Sequence, residues 1–261
     1  MKALALILRQ PVFRRAARRL VGPASLALLY LVWKLAAELM GSSIILPAPE
    51  ETALEALRLM GGAGFWRSVA ATLYRGAAGF AVSFALGLAV GFPAGRYTLF
   101  ARFIAPYMTI IRSTPVLAII LIALVWFPTE AVPVFVAVLM AFPVITQNVA
   151  AGIRAVDPGL IAMAKVYKAG RRRLITGLYL PSLLPFLAAG ASSALGLAWR
   201  VVVAAEILSQ PLRGIGAGMQ EAKLRLETPR VFAWTLAALA ISRLTDAVFS
   251  RIMETLRRRR V

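Results

Sequence analysis

The chain has 261 residues, and 60% of them are hydrophobic, against about half in soluble domains. A net charge of +19 would fit a soluble nucleic-acid-binding protein, but a mean hydropathy of +0.78 excludes that class. The absence of cysteine and histidine excludes disulfides, thiol catalysis and most transition-metal sites. The apolar residues fall in long blocks, which predicts an all-α integral membrane protein.

The chain opens with a basic segment, residues 1–20, which contains six basic side chains and no acidic one. Its apolar run, residues 3–8, is too short for the central region of a signal peptide, and the charges follow that run instead of preceding it. We therefore predict that residues 1–20 form a basic cytoplasmic segment.

Six transmembrane helices are predicted, because six apolar blocks approach the roughly 20 residues that cross a bilayer. They lie at residues 21–40, up to about Gly95, 104–127, 131–152, 183–208 and 231–250. The second block is rich in Gly and Ala, which is typical of helix interfaces in membranes.

The connecting segments complete a predicted domain plan. Residues 41–67 form an external loop with a short amphipathic helix that starts at Pro49. Residues 68–250 form the core domain, which includes a polar loop at 153–182, and residues 251–261 form a basic tail. With six spans, the segments rich in Arg and Lys all lie on one side, so both termini and the polar loop are predicted to be cytoplasmic.

The polar loop predicts a short helix that begins at Asp157, an N-terminal capping residue, and Pro158. Its apolar positions recur at helical spacing and make one face: Leu160, Ile161, Ala164 and Tyr167. Gly170 is placed to end the helix. An exposed apolar stripe indicates either a partner site or a helix that lies on the membrane surface.

The order of these features resembles the permease subunits of bacterial ATP-binding cassette (ABC) importers, in particular those for nitrate, sulfonates, taurine and thiamine-precursor pyrimidines. The resemblance runs from about Ile45 to the end of the chain. It is carried by "LPAPEETALEAL", "FWRSVAATLYRGAAGF", "IRSTPVLAIILIALVWF", "FPVITQNVAAGIRAVDPGL", "LPSLLPFLAAGASSALGLAWRVVVAAEIL" and the Arg-rich tail.

The polar loop resembles the EAA loop of that family, whose pattern is Glu-Ala-Ala, three residues, Gly, and later Ile-x-Leu-Pro. In this chain the Glu is replaced by Ala162, the Ala that follows it by Met163, and the Gly by Lys168. Ala164 and the Leu180-Pro181 end remain.

The resemblance implies the type I ABC importer permease fold, with two copies of this chain around a translocation path in the bacterial inner membrane. It implies two copies of a separate ATPase, which hold ATP and Mg, and a binding protein that delivers solute to the outer loops. This chain has no Walker A pattern, so no cofactor is expected in it. No nucleic-acid partner is expected either, because of the high mean hydropathy. The residues implied in ATPase coupling are Asp157, Pro158, Leu160, Ile161, Ala164, Tyr167, Lys168, Gly170, Arg171 and Arg172.

Polar residues inside the spans are candidates for the translocation path, because charges are costly in lipid. Pro115 joins them because proline frees backbone groups beside a cavity, and Gly196 because it shares a helix face with Arg200. The candidates are Arg112, Ser113, Pro115, Asn148, Ser193, Gly196, Arg200 and Glu206. Arg200 lines a cavity or forms a salt bridge, Arg112 faces the path or sits beside a proline kink, and Glu206 gates, pairs or lies at the interface.

Two charge pairs at helical spacing are predicted to bridge internally: Lys34 with Glu38, and Arg243 with Asp246. A membrane enzyme is not supported, because the eleven acidic residues are scattered. The alternative to an importer subunit is a channel-like or scaffold subunit that kept the fold and lost ATP coupling.

Overall fold

The structure is a computed structural model that describes residues 11–258, apart from the side chains of residues 11–20, 165, 171, 254 and 256–258. Within that range the chain is helical and contains no strand, as predicted. The helices are α1 (Pro11–Met40), α2 (Pro49–Met60), α3 (Ala63–Arg96), α4 (Thr98–Ser113), α5 (Val116–Trp126), α6 (Val132–Arg154), α7 (Pro158–Val166), α8 (Arg171–Leu174), α9 (Leu180–Ser209), α10 (Ile215–Leu224) and α11 (Thr228–Arg258).

Five helical stretches are long and apolar enough to cross a membrane. They are Val21–Met40, Ala63–Arg96, Val132–Arg154, Arg172–Ser209 and Thr228–Met253. The predicted third span, 104–127, is not one helix: α4 and α5 meet at a bend of 97°. Thr114 has extended backbone because it precedes Pro115, whose ring disfavours helical geometry in the residue before it.

The bent pair α4–α5 counts as the sixth crossing, because α3 and α6 run parallel. Along their contact, a Cβ on Gly79 would meet Ala137, one on Gly87 would meet Ile145, and one on Gly95 would meet Ile153. Residue numbers rise together on both helices. The chain therefore returns from the end of α3 to the level of its start, and only α4 and α5 lie between them.

Small residues bring α3 and α6 into backbone contact. They recur every fourth residue on one face of α3: Gly79, Ser83, Gly87, Gly91 and Gly95. A Cβ at each of the four glycines would approach an α6 side chain to 2.5–2.7 Å, which is closer than real Cβ contacts. The interface role expected from this composition is confirmed.

Helix α9 completes the core and runs antiparallel to α6. Gly190 of α9 lies against Asn148 of α6, and Ala198 and Val202 pack on Ala137. Helix α5 adds Ile120, which is fully buried among residues of α6 and α9. The three long helices α3, α6 and α9 therefore form the packed centre.

The two ends of the bundle differ. At one, called the α10 end, α2, α10 and the start of α11 pack around Phe65 and Trp234, whose rings stack at 5.1 Å. At the other, called the α7 end, Val156, Ile161 and Tyr179 pack with Ile153 of α6 and Leu183 of α9. Helix α2 begins at Pro49, as predicted.

Helix α1 lies at the edge of the bundle and is mostly exposed. It is held near the α10 end, where Lys34 Nζ lies 2.6 Å and Tyr30 Oη 2.5 Å from Glu50 Oε1 of α2. The predicted Lys34–Glu38 ion pair is wrong, because Lys34 forms its ion pair with Glu50 of α2 instead. Glu50 is held charged by these donors, which lower its pKa to about 2.

Both long terminal helices extend beyond the predicted spans. Helix α1 already begins at Pro11, inside the predicted basic segment, and α11 continues to Arg258, inside the predicted tail. Residues 1–10 and 259–261 of those segments lie outside the described range. Arginine is a good helix former. The arginines therefore mark where an apolar span ends in the sequence, but the helix continues through them.

Candidate functional site: the α7 loop and the buried charges

The start of α7 follows the sequence. Asp157 Oδ1 accepts a hydrogen bond from the Gly159 backbone N–H at 2.7 Å, and Pro158 is the first residue of the helix. This interaction satisfies a backbone donor that has no partner inside the helix. The predicted helix start is confirmed.

The end of α7 lies earlier than predicted, at Val166, and Lys168 reverses the chain with a φ of 49°. The Ala169 N–H donates to the Ala164 carbonyl at 2.9 Å, the six-to-one bond that closes a left-handed helix end. Gly170 does not end the helix. Lys168 stands where the EAA pattern has its glycine, a residue that adopts a positive φ at lower cost than lysine.

The predicted apolar face of α7 is divided between two surfaces. Ile161 packs against the cluster of Val156, Tyr179 and Leu183, which ties α7 to α9. Leu160, Met163 and Tyr167 point outward and are 43%, 52% and 79% exposed. Their spacing places these three side chains on one side of the helix. Met163 belongs to the outward face, although it was not among the residues predicted to form the apolar face.

The segment after α7 is continuous with the fifth predicted span. Helix α8 passes into a π-helical turn, Ile175–Tyr179, and this into α9. Residues 172–182 of the predicted polar loop are therefore the first part of a 38-residue apolar helix, Arg172–Ser209. Arg172 is exposed at its start, and the side chain of Arg171 lies outside the described part of the chain.

The α4–α5 bend holds three of the candidate path residues. Arg112, Ser113 and Pro115 are all exposed there. Arg112 Nη1 donates to the side chain of Gln147 on α6 at 2.8 Å. Asn148 is half-buried and donates to the Val144 carbonyl of its own helix at 2.8 Å.

The remaining path candidates lie on α9. Ser193 and Arg200 are exposed and Gly196 is half-buried. Arg200 Nε donates to the Gly196 carbonyl at 3.1 Å, and among the side chains that the structure describes no carboxylate lies within 4.0 Å of Arg200. The predicted Arg243–Asp246 ion pair is also wrong, because the charged groups of these two residues are more than 4.0 Å apart. The Asp246 carboxylate lies beside Gly196 on α9 instead.

Glu206 does not face the path. It is fully buried near the α10 end and forms an ion pair with Arg75 of α3, Nη1 to Oε1, at 2.6 Å. Thr72 Oγ1 lies 2.9 Å from Glu206 Oε2, and the Gly216 N–H donates to that oxygen at 3.0 Å. Both carboxylate oxygens are bonded inside the protein, so the assignment of Glu206 to the translocation path is corrected.

Arg75 is the residue that the sequence prediction missed. Arg75 Nη2 pairs with Glu130, which follows α5. Arg75 Nη1, which pairs with Glu206, also donates to the Arg213 carbonyl at 2.7 Å. Arg75 therefore joins α3, α9 and two loops at the α10 end. The signal was present: a lone arginine in the apolar stretch "VAATLYRGAAGF" has the same pattern as Arg200.

Comparison with known proteins places the chain in a family. Residues 81–260, more than half of the chain, match the family of binding-protein-dependent transport system inner membrane components. The putative aliphatic sulfonates transport permease protein SsuC of Bacillus subtilis (strain 168) is 29% identical over 214 residues, which cover 82% of this chain and 77% of SsuC. The taurine transport system permease protein TauC of Escherichia coli (strain K12) is 29% identical over 224 residues, or 83% and 81% of the two chains.

A solved structure has the same fold. A chain of the MetNI methionine ABC transporter in an inward-facing conformation has a TM-score of 0.56 and 18% sequence identity. The match covers 74% of this chain and 94% of that chain. Together with the family match and the permease relatives, this likeness establishes that the chain belongs to the binding-protein-dependent transport system inner membrane components, as a permease subunit of a type I ABC importer.

Proposed function

We propose that α7 is the coupling helix on which a separate ATPase docks, and that the α7 end faces the cytoplasm. The observation that carries this proposal is the outward apolar face of α7, made of Leu160, Met163 and Tyr167. Large apolar side chains on a helix outside the membrane cost free energy in water unless a partner covers them. The bias of basic residues toward the segments at that end supports the orientation.

The opposite face of α7 explains how movement of an ATPase would reach the spans. Ile161 packs with Val156, which follows α6, and with Tyr179, in the π-helical turn before α9. A displacement of α7 is therefore passed to two of the three central helices. ATP and Mg belong to the ATPase in this proposal, and this chain supplies the path.

The path lies between two copies of the chain. Arg112 and Arg200 are the candidates for contact with an anionic solute, since both guanidinium groups are exposed within the spans. The relatives named for sulfonates and taurine support a small anionic solute. A binding protein delivers it at the α10 end, where residues 41–66 and 209–230 lie.

The test is co-purification of the tagged chain in mild detergent, with ATPase activity measured in the eluate. Wild type is expected to retain an ATPase, and Leu160→Asp/Tyr167→Asp is expected to lose it, because two carboxylates would be buried at the contact. Tyr97→Asp/Leu99→Asp changes an exposed pair of the same residue types outside α7 and is expected to retain the ATPase.

Loss of the ATPase from both variants would indicate a general folding defect and contradict a specific role of α7. If neither wild type nor variants retain an ATPase while the chain stays folded, α7 is a membrane-surface helix. The channel-like or scaffold alternative would then account for the chain.

A further inference from the structure

A cavity of about 580 Å³ opens at the α10 end, away from the α7 loop. Its walls come from the α2–α3 junction, the segment 210–214, helix α10 and the start of α11. It belongs neither to the α7 face nor to the candidate path residues on α4 and α9.

The cavity is lined by four arginines and a single carboxylate, Glu221. Arg58 and Arg230 each lie near a glutamate of their own segment, Glu55 at 3.5 Å and Glu227 at 3.1 Å. Glu221 is itself paired with Arg225, at 2.7 Å.

The other two arginines, Arg67 and Arg213, have no carboxylate within 4.0 Å in the part of the chain that the structure describes. They reach the cavity from separate segments, the first turns of α3 and the loop before α10. The cavity therefore carries an excess of positive charge.

The rest of the lining combines polar and apolar groups. Ser68 and Gln210 offer further hydrogen-bond donors, and a Cβ on Gly64 would meet nothing within 4 Å. Phe65, Leu212 and Trp234 supply apolar surface. An oxyanion accepts hydrogen bonds at several oxygens, and guanidinium groups match its geometry in bidentate fashion.

The buried charges fix one wall of this cavity. The Arg213 carbonyl accepts from Arg75, the Leu212 N–H donates to Glu130 Oε1 at 2.8 Å, and the Ile215 N–H donates to Thr72 Oγ1 at 2.9 Å. These bonds hold the segment before α10 in place, so Arg213 is presented from a rigid backbone. A preorganised site loses less entropy when it binds.

We infer that this cavity binds an oxyanion: the sulfonate, carboxylate or phosphate group of a small molecule. Two sources carry that chemistry, a free solute or the headgroup of an anionic lipid. An apolar groove of about 330 Å³ on the other side of Phe65, lined by Met60, Trp66 and Leu236, lies within reach of an acyl chain. Use of the cavity by the transported solute rests on the proposed function, but oxyanion binding itself does not.

The experiment is isothermal titration of the purified chain with ethanesulfonate and with inorganic phosphate, in nanodiscs of zwitterionic lipid at low, constant ionic strength. The variants are Arg67→Gln and Arg213→Gln. Lys223→Gln is the matched control, since it removes one charge from α10 without lining the cavity. We expect saturable binding by wild type, at least about tenfold weaker binding by each arginine variant, and no change in the control.

Equal affinity of wild type and the arginine variants, or equal weakening in the control, would overturn the proposal. If neither soluble anion binds, native mass spectrometry of samples containing phosphatidylglycerol decides. Lipid retained by wild type and lost from both arginine variants supports the oxyanion site with a lipid source, and lipid retained equally overturns it. No ATPase is present in this assay, so its outcome is independent of the coupling proposal.

Discussion

At the scale of single residues, Arg75 determines how the α10 end is held together. It is 6% exposed and is shared between a fully buried carboxylate, Glu206, and a more exposed one, Glu130. A buried charge that loses its partner keeps its desolvation cost without the compensating attraction. Loss of either Arg75 or Glu206 alone is therefore expected to destabilise the protein more than replacement of both by apolar residues.

Replacement of Arg75 by Gln is expected to destabilise the chain by about 3–5 kcal/mol, because Glu206 would be left buried without its ion-pair partner. The measurement is the thermal unfolding midpoint in detergent, followed by tryptophan fluorescence. Arg112→Gln removes an exposed arginine and is expected to change the midpoint little. A midpoint for Arg75→Gln equal to that of Arg112→Gln would contradict a structural role for the cluster.

The cluster also marks the limit of what the sequence predicts at this scale. A charge inside an apolar block requires a partner or a cavity, and for Glu206 the sequence left gating, pairing and an interfacial position open. The partner lies 131 residues away on another helix, and hydropathy carries no information about that pairing. Lys168 shows the converse: its departure from the EAA pattern is evident in the sequence, but only the structure shows that it adopts a positive φ.

At the scale of helices, the α3–α6 contact depends on glycine. Gly87→Ala would place a methyl group 2.5 Å from Ile145 Cγ2 and force the two helices apart. We expect a loss of about 1–3 kcal/mol, as for other overpacked contacts, measured as a lower unfolding midpoint. Gly64→Ala is the control on the same helix, since a Cβ there meets nothing within 4 Å. Equal midpoints for the two variants would refute close packing at Gly87.

Helix identity was largely predictable from composition, and helix geometry was not. The apolar blocks predicted the spanning parts of α1, α3, α6, α9 and α11 because length and hydropathy determine what a bilayer accepts. The bend between α4 and α5 lies at Pro115, where a proline kink beside Arg112 was one of the two predicted alternatives, but its size of 97° was not predicted. Pro106, by contrast, lies inside α4 without ending it, so a proline alone does not identify the break.

At the scale of the whole molecule, the parallel run of α3 and α6 requires α4 and α5 to cross the membrane together. Because the chain contains no cysteine, single cysteines placed at Leu99 and Thr129 report on this directly. They are expected to react with a membrane-impermeant maleimide from opposite sides of sealed vesicles. A cysteine at Leu212, beside Glu130, is expected to react from the same side as Thr129. Labelling of positions 99 and 129 from one side would make α4–α5 a re-entrant hairpin.

The buried charges also have a consequence for biosynthesis. Arg75 leaves the ribosome 55 residues before Glu130 and 131 residues before Glu206. At about 5–20 residues per second, roughly 7–26 s separate the synthesis of Arg75 from that of its buried partner. For that interval an arginine within a membrane helix lacks Glu206, and Glu130 is available to neutralise it first. The more exposed glutamate thus gives the nascent chain a provisional partner until α9 is inserted.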